Sequence, residues 1–268
     1  MNTALHATII GWGLCAPGLD DAAAFADWLR DPARALPVGR HANAMAARMT
    51  PTEHRRAPHA VRLALEAATQ AVGAHDASAI GAVFCSAFGD MANTDAILGT
   101  LAQAPDQVSP TRFTHSVHNA AAGHWSMAAA SHAPMSALAC GREGIGPALL
   151  AALLDMQASA APQLVVLFDT AAAGALADVA PCSLDFAAAL LLAPAVDERP
   201  GARLRAQVEN GQASDNAPRD ARLQPWYAGN PAARALPLLE ICLGAAARRF
   251  TWPLGSGTLL TLHCEYRP

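Results

Sequence analysis

The sequence predicts an α/β fold in which helices cover both faces of a mainly parallel β-sheet. Short apolar runs alternate along the chain with segments whose hydrophobic residues recur at helical spacing. The run at residues 163–169 (QLVVLFD) is almost continuously apolar, as expected for a strand that is covered on both faces. Hydrophobic residues make up 53% of the 268 residues and charged residues only 15%, so the chain can build a large core.

The N-terminal part of the chain contains two predicted strands and three predicted helices. Each strand is a short aliphatic or β-branched run, and each helix begins near an Asp, Asn or Thr that can accept hydrogen bonds from the first turn. In chain order these elements are a strand at residues 4–13, a helix capped by Asp20 or Asp21 and ending near Leu29, a loop at residues 30–46, a helix that starts at residues 50–53 and carries Val61, Leu63, Leu65, Ala68 and Val72, a strand at residues 80–86 and a helix at about residues 93–101.

The central segment, residues 108–150, is the part around which the rest of the chain is arranged. It predicts a loop at residues 109–111, a helix that begins at Asn119, a strand at residues 135–139 opened by Pro134, a turn at residues 140–144 (CGREG) and a second helix. A strand that runs through a tight turn into a helix N-terminus is where α/β enzymes present a nucleophile or bind an anion.

The C-terminal part of the chain continues the alternation of strands and helices. The polar stretch at residues 211–225 is rich in Asp, Asn and Pro and predicts a loop or linker. In chain order the elements are a helix at residues 145–156, a strand at 163–169, strands at 185–192 and 202–209 joined by a turn at 198–201, the linker, a helix at 231–249 and a final strand at 257–265.

Composition excludes several classes of function. All 18 positively charged side chains are arginine, and the absence of lysine excludes Schiff-base and pyridoxal-phosphate chemistry and a phosphate-loop NTPase. With a net charge of −4 and no basic block, we expect no nucleic-acid partner. The longest apolar run, residues 186–196, is too short to cross a bilayer, and no signal peptide is evident. The six cysteines are scattered without a C-x-x-C pair, which favours reduced core thiols in a cytoplasmic protein.

Five motifs occur in a fixed order along the chain. They are ATIIGWGLCAPGLDD, IGAVFCSAFGD, VSPTRFTHSVHNAAAGHWSMA, DFAAALLLAPAVDERPGARLRAQV and WPLGSGTLLTLHCE. The third contains Ser109, Pro110, Asn119, Gly123 and His124 in the pattern SPxxxxxxxxN-x-x-AGH. Together the motifs resemble the N-terminal half of a β-ketoacyl synthase of the thiolase fold. The resemblance is greatest to the short synthase-like proteins of aryl-polyene and related fatty-acid-type gene clusters.

This resemblance implies a thiolase-like layered α/β fold. The synthase-like N-terminal half is expected at residues 1–210. Residues 211–268 are expected to be a reduced C-terminal half, with a linker, a helix and a closing strand that pack on the same core.

The chain departs from active synthases at the turn after residue 139. In the family the nucleophilic cysteine lies eight residues after the proline that opens the strand, and that count from Pro134 lands on Arg142. Cys140 comes two residues early, so we expect it to be a buried, protonated thiol on the strand rather than a thiolate at the helix N-terminus. The resemblance therefore implies a vestigial nucleophile elbow made of Cys140, Gly141, Arg142 and Glu143.

A second departure concerns the acid–base residues. The family's condensation step uses two histidines and a lysine from its C-terminal half. Residues 211–258 are too few to hold that half, and His263 has no matching motif around it. Without positioned donors for the developing oxyanion, a cysteine alone would lose several orders of magnitude in rate. We therefore expect no catalytic residue, unless Cys140 is the nucleophile of a remodelled turn.

The resemblance also implies a partner. In synthases of this type the strand after the proline pairs with its copy in the second subunit, beside the Asn–Ala–Gly–His helix. Non-catalytic subunits called chain-length factors pair in this way with an active ketosynthase and help to form the tunnel for the acyl chain. We therefore expect a chain-length-factor-like subunit with a ketosynthase partner, or a self-dimer, and an acyl carrier protein. The residues expected at the dimer seam or tunnel are Asn119, Gly123, His124, Trp125, Met127 and Met135.

Alternative functions and roles remain open from the sequence. The chain could be an active acyltransferase or ketosynthase that uses Cys140, a carrier-protein-binding or scaffold module, or a homodimer with its own small-molecule site. Plain core packing is the alternative role for the bulky residues Trp125, Met127 and Met135, and helix capping is the favoured role for Asn119.

No metal or cofactor is expected. His115, His118 and His124 cluster in sequence, but no carboxylate or thiol completes a ligand set. The glycine turn at residues 255–257 favours a structural role over phosphate binding.

Overall fold

One mixed β-sheet of eight strands runs through the structure, a computed structural model that describes residues 4–38, 48–172, 174–195 and 199–268. Within these residues the strand order across the sheet is β3-β2-β4-β5-β1-β6-β8-β7. The strands are β1 (Leu5–Cys15), β2 (Gly81–Cys85), β3 (Met135–Leu138), β4 (Gln163–Asp169), β5 (Phe186–Pro194), β6 (Gly201–Asn210), β7 (Arg248–Gly255) and β8 (Thr258–Arg267).

The sheet is mainly antiparallel, so the predicted mainly parallel sheet is wrong. Among the described residues, β2 pairs in parallel with β3 and β4, and the other five pairings are antiparallel. The error has a physical cause. Continuous apolar character reports burial on both faces, and β5 has that burial although it is antiparallel to both of its neighbours.

Helices lie on both faces of the sheet. The described helices are α1 (Ala22–Arg30), α2 (Pro51–Arg56), α3 (His59–Val72), α4 (Met91–Gln103), α5 (Pro110–His115), α6 (Ala120–Ala128), α7 (Ile145–Ser159), α8 (Gln224–Gly229) and α9 (Leu236–Cys242). On one face α3 packs against β1, β4, β5 and α6, and on the other face α7 and α9 pack against the sheet. At Gly13 a Cβ atom would lie 2.1 Å from the carbonyl oxygen of Ala67, so glycine is needed there for the close approach of α3 to β1.

Three predicted helices or loops need correction. The helix expected from Thr50 is two helices, because Pro58 follows the capping-box helix α2 and α3 begins at His59. The predicted loop at residues 109–111 is the start of α5, with the Ser109 side chain accepting a hydrogen bond from the backbone N–H of Arg112. The helix predicted over residues 231–249 ends at Cys242, and β7 begins at Arg248.

Residues 211–268 join the same sheet as the N-terminal part of the chain. Strand β8 pairs with β6 along its whole length, and β7 pairs with β8. Their inward residues pack in the same core cluster as β1 and β5. The domain boundary at residue 210 remains a prediction. Residues 39–46 of the predicted loop and Glu198 of the predicted turn lie outside the described residues.

Candidate functional site

The carboxyl ends of the three parallel strands meet at one edge of the sheet. Because β2, β3 and β4 run in the same direction, the residues that follow them lie together. These residues are Ser86 after β2, Cys140 after β3 and Asp169 at the end of β4. Loops beyond the carboxyl ends of parallel strands are where α/β proteins place their functional groups.

Residues 140–144 form a sharp elbow between β3 and α7. Strand β3 ends at Leu138, Cys140 is exposed, and Gly141 has a φ of +60°, a left-handed conformation that favours glycine. The expectation that Cys140 is a buried thiol on the strand is therefore wrong. The strand stops two residues before the cysteine, so the sulfur lies in the turn that leads to the helix.

A second cysteine lies beneath this elbow. A Cβ atom at Gly144 would lie 2.6 Å from the sulfur of Cys85 and 3.7 Å from the Cβ of Cys140, so glycine allows the turn to pass over the buried thiol. The Cys85 thiol donates to the carbonyl oxygen of Gly144 at 3.5 Å, and burial raises its pKa to about 12. Cys85 is therefore a protonated thiol that supports the turn.

Arg142, at the counted position of the family nucleophile, makes structural contacts. Its guanidinium donates to the carbonyl oxygens of Pro181 at 2.9 Å and Ala228 at 2.7 Å. These two hydrogen bonds connect the elbow to the loop that contains Pro181 and to the last turn of α8. The next residue, Glu143, lies 3.9 Å from the guanidinium of Arg234, at the outer limit of an ion pair.

Asp169 anchors the loop that follows β2. Its carboxylate accepts hydrogen bonds from the hydroxyl of Ser86 at 2.7 Å and from the backbone N–H groups of Ala87 at 3.0 Å and Phe88 at 3.2 Å. Burial raises the pKa of Asp169 to about 6, and the hydrogen bond from Ser86 opposes that rise. Asp169 was not predicted as a site residue, although an aspartate at the end of an apolar strand is itself a signal.

The side chain of His118, which precedes α6, lies next to the carboxyl end of β3. Its Nε2 is 2.8 Å from the carbonyl oxygen of Leu138, and because a carbonyl only accepts, Nε2 carries the proton. A Cβ atom at Gly89 would lie 3.5 Å from the other ring nitrogen of His118. The arrangement therefore orients an imidazole between β3 and the loop that Asp169 holds.

The family is decided by a comparison of the sequence with known families. The profile described as β-ketoacyl synthase, N-terminal domain, matches residues 26–243, which is most of the chain. The chain belongs to the β-ketoacyl synthase family. No curated protein matches it.

Solved structures of synthase assemblies share the fold of this synthase-family chain. A chain of the ketosynthase ApeO in complex with its chain length factor ApeC from Xenorhabdus doucetiae has 22% identity and a TM-score of 0.70, with 97% of this chain and 99% of that chain covered. The ishigamide ketosynthase/chain length factor gives 17% identity, a TM-score of 0.68 and coverage of 98% and 100%. A chain of the type II polyketide synthase complex AntDE:AntF has 11% identity and a TM-score of 0.71, with 99% of this chain and 100% of that chain covered. The predicted thiolase-like fold is confirmed.

The residues expected at the dimer seam or tunnel of this synthase-family chain lie in different environments. Asn119, Gly123 and Met127 are exposed, and Met135 is partly buried on β3. Trp125 is fully buried, in the core cluster that also contains the inward residues of α3.

The structure also defines the surroundings of Asn119 and His124. Asn119 occupies the N-cap position of α6, but its side chain makes no capping hydrogen bond, so the capping role is wrong. The ring of His124 meets the ring of His115 edge-on, with 5.6 Å between centroids, and burial lowers the pKa of His124.

The described residues contain neither a candidate metal site nor a candidate membrane-spanning helix. No group of three or more His, Cys, Asp or Glu side chains is placed to hold a metal ion in the described part of the chain. Within the same residues, no helix has both the length and the apolar character needed to cross a membrane.

Proposed function

We propose that this protein is a non-catalytic, chain-length-factor-like subunit that pairs with an active β-ketoacyl-acyl-carrier-protein synthase. In this role it shapes the acyl tunnel in polyene or fatty-acid-type biosynthesis. The observation that carries the proposal is the elbow at residues 140–144. The elbow has the strand–turn–helix shape of a nucleophile site, but Arg142 occupies the counted nucleophile position and binds two backbone carbonyl oxygens.

The free edge of β3 supports the proposed pairing. Within the described residues β3 pairs only with β2. The carbonyl oxygens of Pro134 and Leu138 accept hydrogen bonds from β2 at 3.1 and 3.2 Å. Because alternate residues of a strand point their backbone groups to opposite sides, those of Met135 and Ala137 point to the open edge. An open edge is a template for pairing with another chain.

Exposed apolar side chains near this edge support the same proposal. Phe113 on α5 is 63% exposed, Val117 before α6 is 47% exposed, and Met127 on α6 is 61% exposed. Helix α6 packs against both β2 and β3, so Met127 lies on a helix that borders the open edge, and Val117 comes just before that helix. Exposed apolar surface next to an unpaired strand is typical of a protein–protein interface.

The solved structures add support of a different kind. The chains similar to this one over almost their full length come from assemblies described as a ketosynthase with its chain length factor, or as a ketosynthase with an acyl carrier protein. We therefore propose a ketosynthase as the partner and an acyl carrier protein as a second, transient partner. The six cysteines are unpaired, in keeping with action in the reducing cytoplasm.

Co-expression with an active β-ketoacyl-acyl-carrier-protein synthase from the same organism tests the proposal. We expect the two chains to co-purify as a 1:1 complex, and light scattering coupled to size-exclusion chromatography measures its mass. Met135→Ala is expected to change the length of the product without dissociating the complex. A stable self-dimer that ignores the synthase would contradict the proposal. An unchanged product from Met135→Ala would favour a carrier-binding or scaffold role.

A second candidate function is an acyltransferase or ketosynthase with Cys140 as nucleophile. The exposure of Cys140 in the elbow favours it, since a nucleophile has to be accessible. Incubation with a radiolabelled acyl carrier protein separates the two functions. Our proposal expects no label on the wild-type chain. A label that Cys140→Ala abolishes would replace the non-catalytic role with an enzymatic one.

A further inference from the structure

Four basic side chains form a row across the sheet, far along the strand order from β3. His6 on β1 lies opposite Arg205 on β6, Arg205 lies opposite His263 on β8, and His263 lies opposite Arg249 on β7. All four residues are exposed. Residues that are directly opposite in a sheet share one face, with Cβ atoms about 4.5–5.5 Å apart. The register therefore brings four cationic or proton-donating groups into one line, the basic row.

The row lies on the polar face of the C-terminal part of the sheet. On β6 the residues Ala202, Leu204 and Ala206 point into the core, and Arg203 and Arg205 point to the other face. Helix α9 packs against β1, β6 and β8, and its apolar residues belong to the same core cluster as those inward residues. The side chains of the basic row thus face away from α9.

Carboxylates compensate only part of this positive charge. Arg249, at the end of the row, pairs with Glu209 at 3.0 Å. Two residues after His263 on the same face of β8, Glu265 pairs with Arg267 at 2.6 Å. Among the described residues, no ion pair joins Arg205 to a carboxylate. The chain as a whole carries −4, so the row does not follow from a general excess of positive charge.

The dimensions of the row indicate the size of its ligand. A depression of about 290 Å³ is lined by His6, Arg205 and His263 of the row. Its lining also includes Arg203, Glu265 and Arg267. Adjacent strands are about 4.8 Å apart, so the outer two histidines are separated by roughly two such spacings. One phosphate group reaches Arg205 and one neighbour, whereas two phosphate groups in series reach all three.

We propose that the basic row binds the diphosphate group of a small molecule. The planar guanidinium of Arg205 can donate two parallel hydrogen bonds to one phosphate, and the imidazole N–H groups of His6 and His263 donate to the flanking oxygens. This site is separate from the elbow and from the β3 edge, and it does not depend on the proposed pairing with a synthase.

Calorimetric titration with pyrophosphate at fixed ionic strength tests the proposal. We expect saturable binding to the wild-type chain, and binding weaker by about tenfold or more in Arg205→Ala, from the loss of a charge-assisted bidentate contact. Arg30→Ala, which removes another exposed arginine, on α1, is the matched control and should bind as the wild type does. His263→Gln is a second variant and should weaken binding in the same direction.

Further titrations identify the source of the diphosphate. ADP binding as tightly as pyrophosphate would indicate a nucleotide-type ligand, and pyrophosphate alone would indicate the inorganic ion. Equal affinity of wild type and Arg205→Ala would overturn the proposal, as would an equal effect of chloride at matched ionic strength. Preference for poly-glutamate over both phosphates would overturn it in favour of an acidic protein partner. Arg205 is exposed, so the melting midpoint of the ligand-free variant should equal or exceed that of the wild type, which verifies folding.

Discussion

Gly123→Leu separates the effect of the proposed seam from the stability of the chain itself. Gly123 is exposed on α6, and a Cβ atom there would have no described atom outside its own helix backbone within 4 Å. Within the described residues a side chain can therefore begin at this position without a clash, and the change from glycine should stabilise the helix by about 0.5–1 kcal/mol. At a seam where two subunits approach closely, the same side chain overpacks the contact by about 1–3 kcal/mol. That free energy corresponds to association weakened by about 5–150-fold.

The assay compares two quantities in the same variant. Sedimentation velocity or calorimetry with the synthase partner gives the dissociation constant, and thermal unfolding of the isolated chain gives its melting midpoint. Gly99→Leu on α4 is the control, because a Cβ atom there would likewise have no neighbour within 4 Å among the described residues outside its own helix backbone. We expect both variants to keep or raise the melting midpoint, and only Gly123→Leu to lose association. Wild-type affinity in Gly123→Leu would refute the placement of α6 at the seam.

Three further predictions test other parts of the structure. Trp125→Ala should destabilise the chain by about 3–5 kcal/mol because the side chain is fully buried. Met127 is exposed, so Met127→Ala should change the free energy of unfolding by less than about 0.5 kcal/mol. Urea denaturation measures both. The pKa of Asp169 is about 6 in the folded state, against an ordinary value of 3.8, so the folded state holds this proton more tightly. The free energy of unfolding should therefore fall as the pH rises from 3.8 to 6. An unchanged pH dependence in Asp169→Asn would contradict this. Iodoacetamide should modify Cys140 before the buried thiols, which mass spectrometry of the native protein measures, and rapid labelling of Cys85 instead would contradict the described elbow.

Local signals in the sequence located most elements correctly. Strand β4 coincides with the predicted residues 163–169, and Asp21 caps α1 as expected, with its side chain accepting from the backbone N–H of Ala24. The capping box at Thr50 and Glu53 is also present. These features depend on neighbours within a few residues, so the sequence alone can specify them.

The errors arise where the decisive contact is distant in sequence or where a stop signal was overlooked. Gly244, with a φ of +92°, follows the end of α9, and its glycine was an available signal against a helix that continues to Arg249. No local pattern could show that Asp169 binds the loop at Ser86, because 83 residues separate the two. The exposure of Cys140 likewise depends on where β3 stops, which is set by its pairing with β2.

The position of β1 in the sheet has a consequence for how the protein is made. Strand β1 lies between β5 and β6, so its two neighbours come from residues 186–210. During synthesis the first strand leaves the ribosome long before either neighbour exists, and its backbone groups stay unpaired meanwhile. Pairings so distant in sequence form slowly, and unpaired strands are prone to aggregation. We therefore expect the nascent chain to depend on chaperones until β6 has emerged.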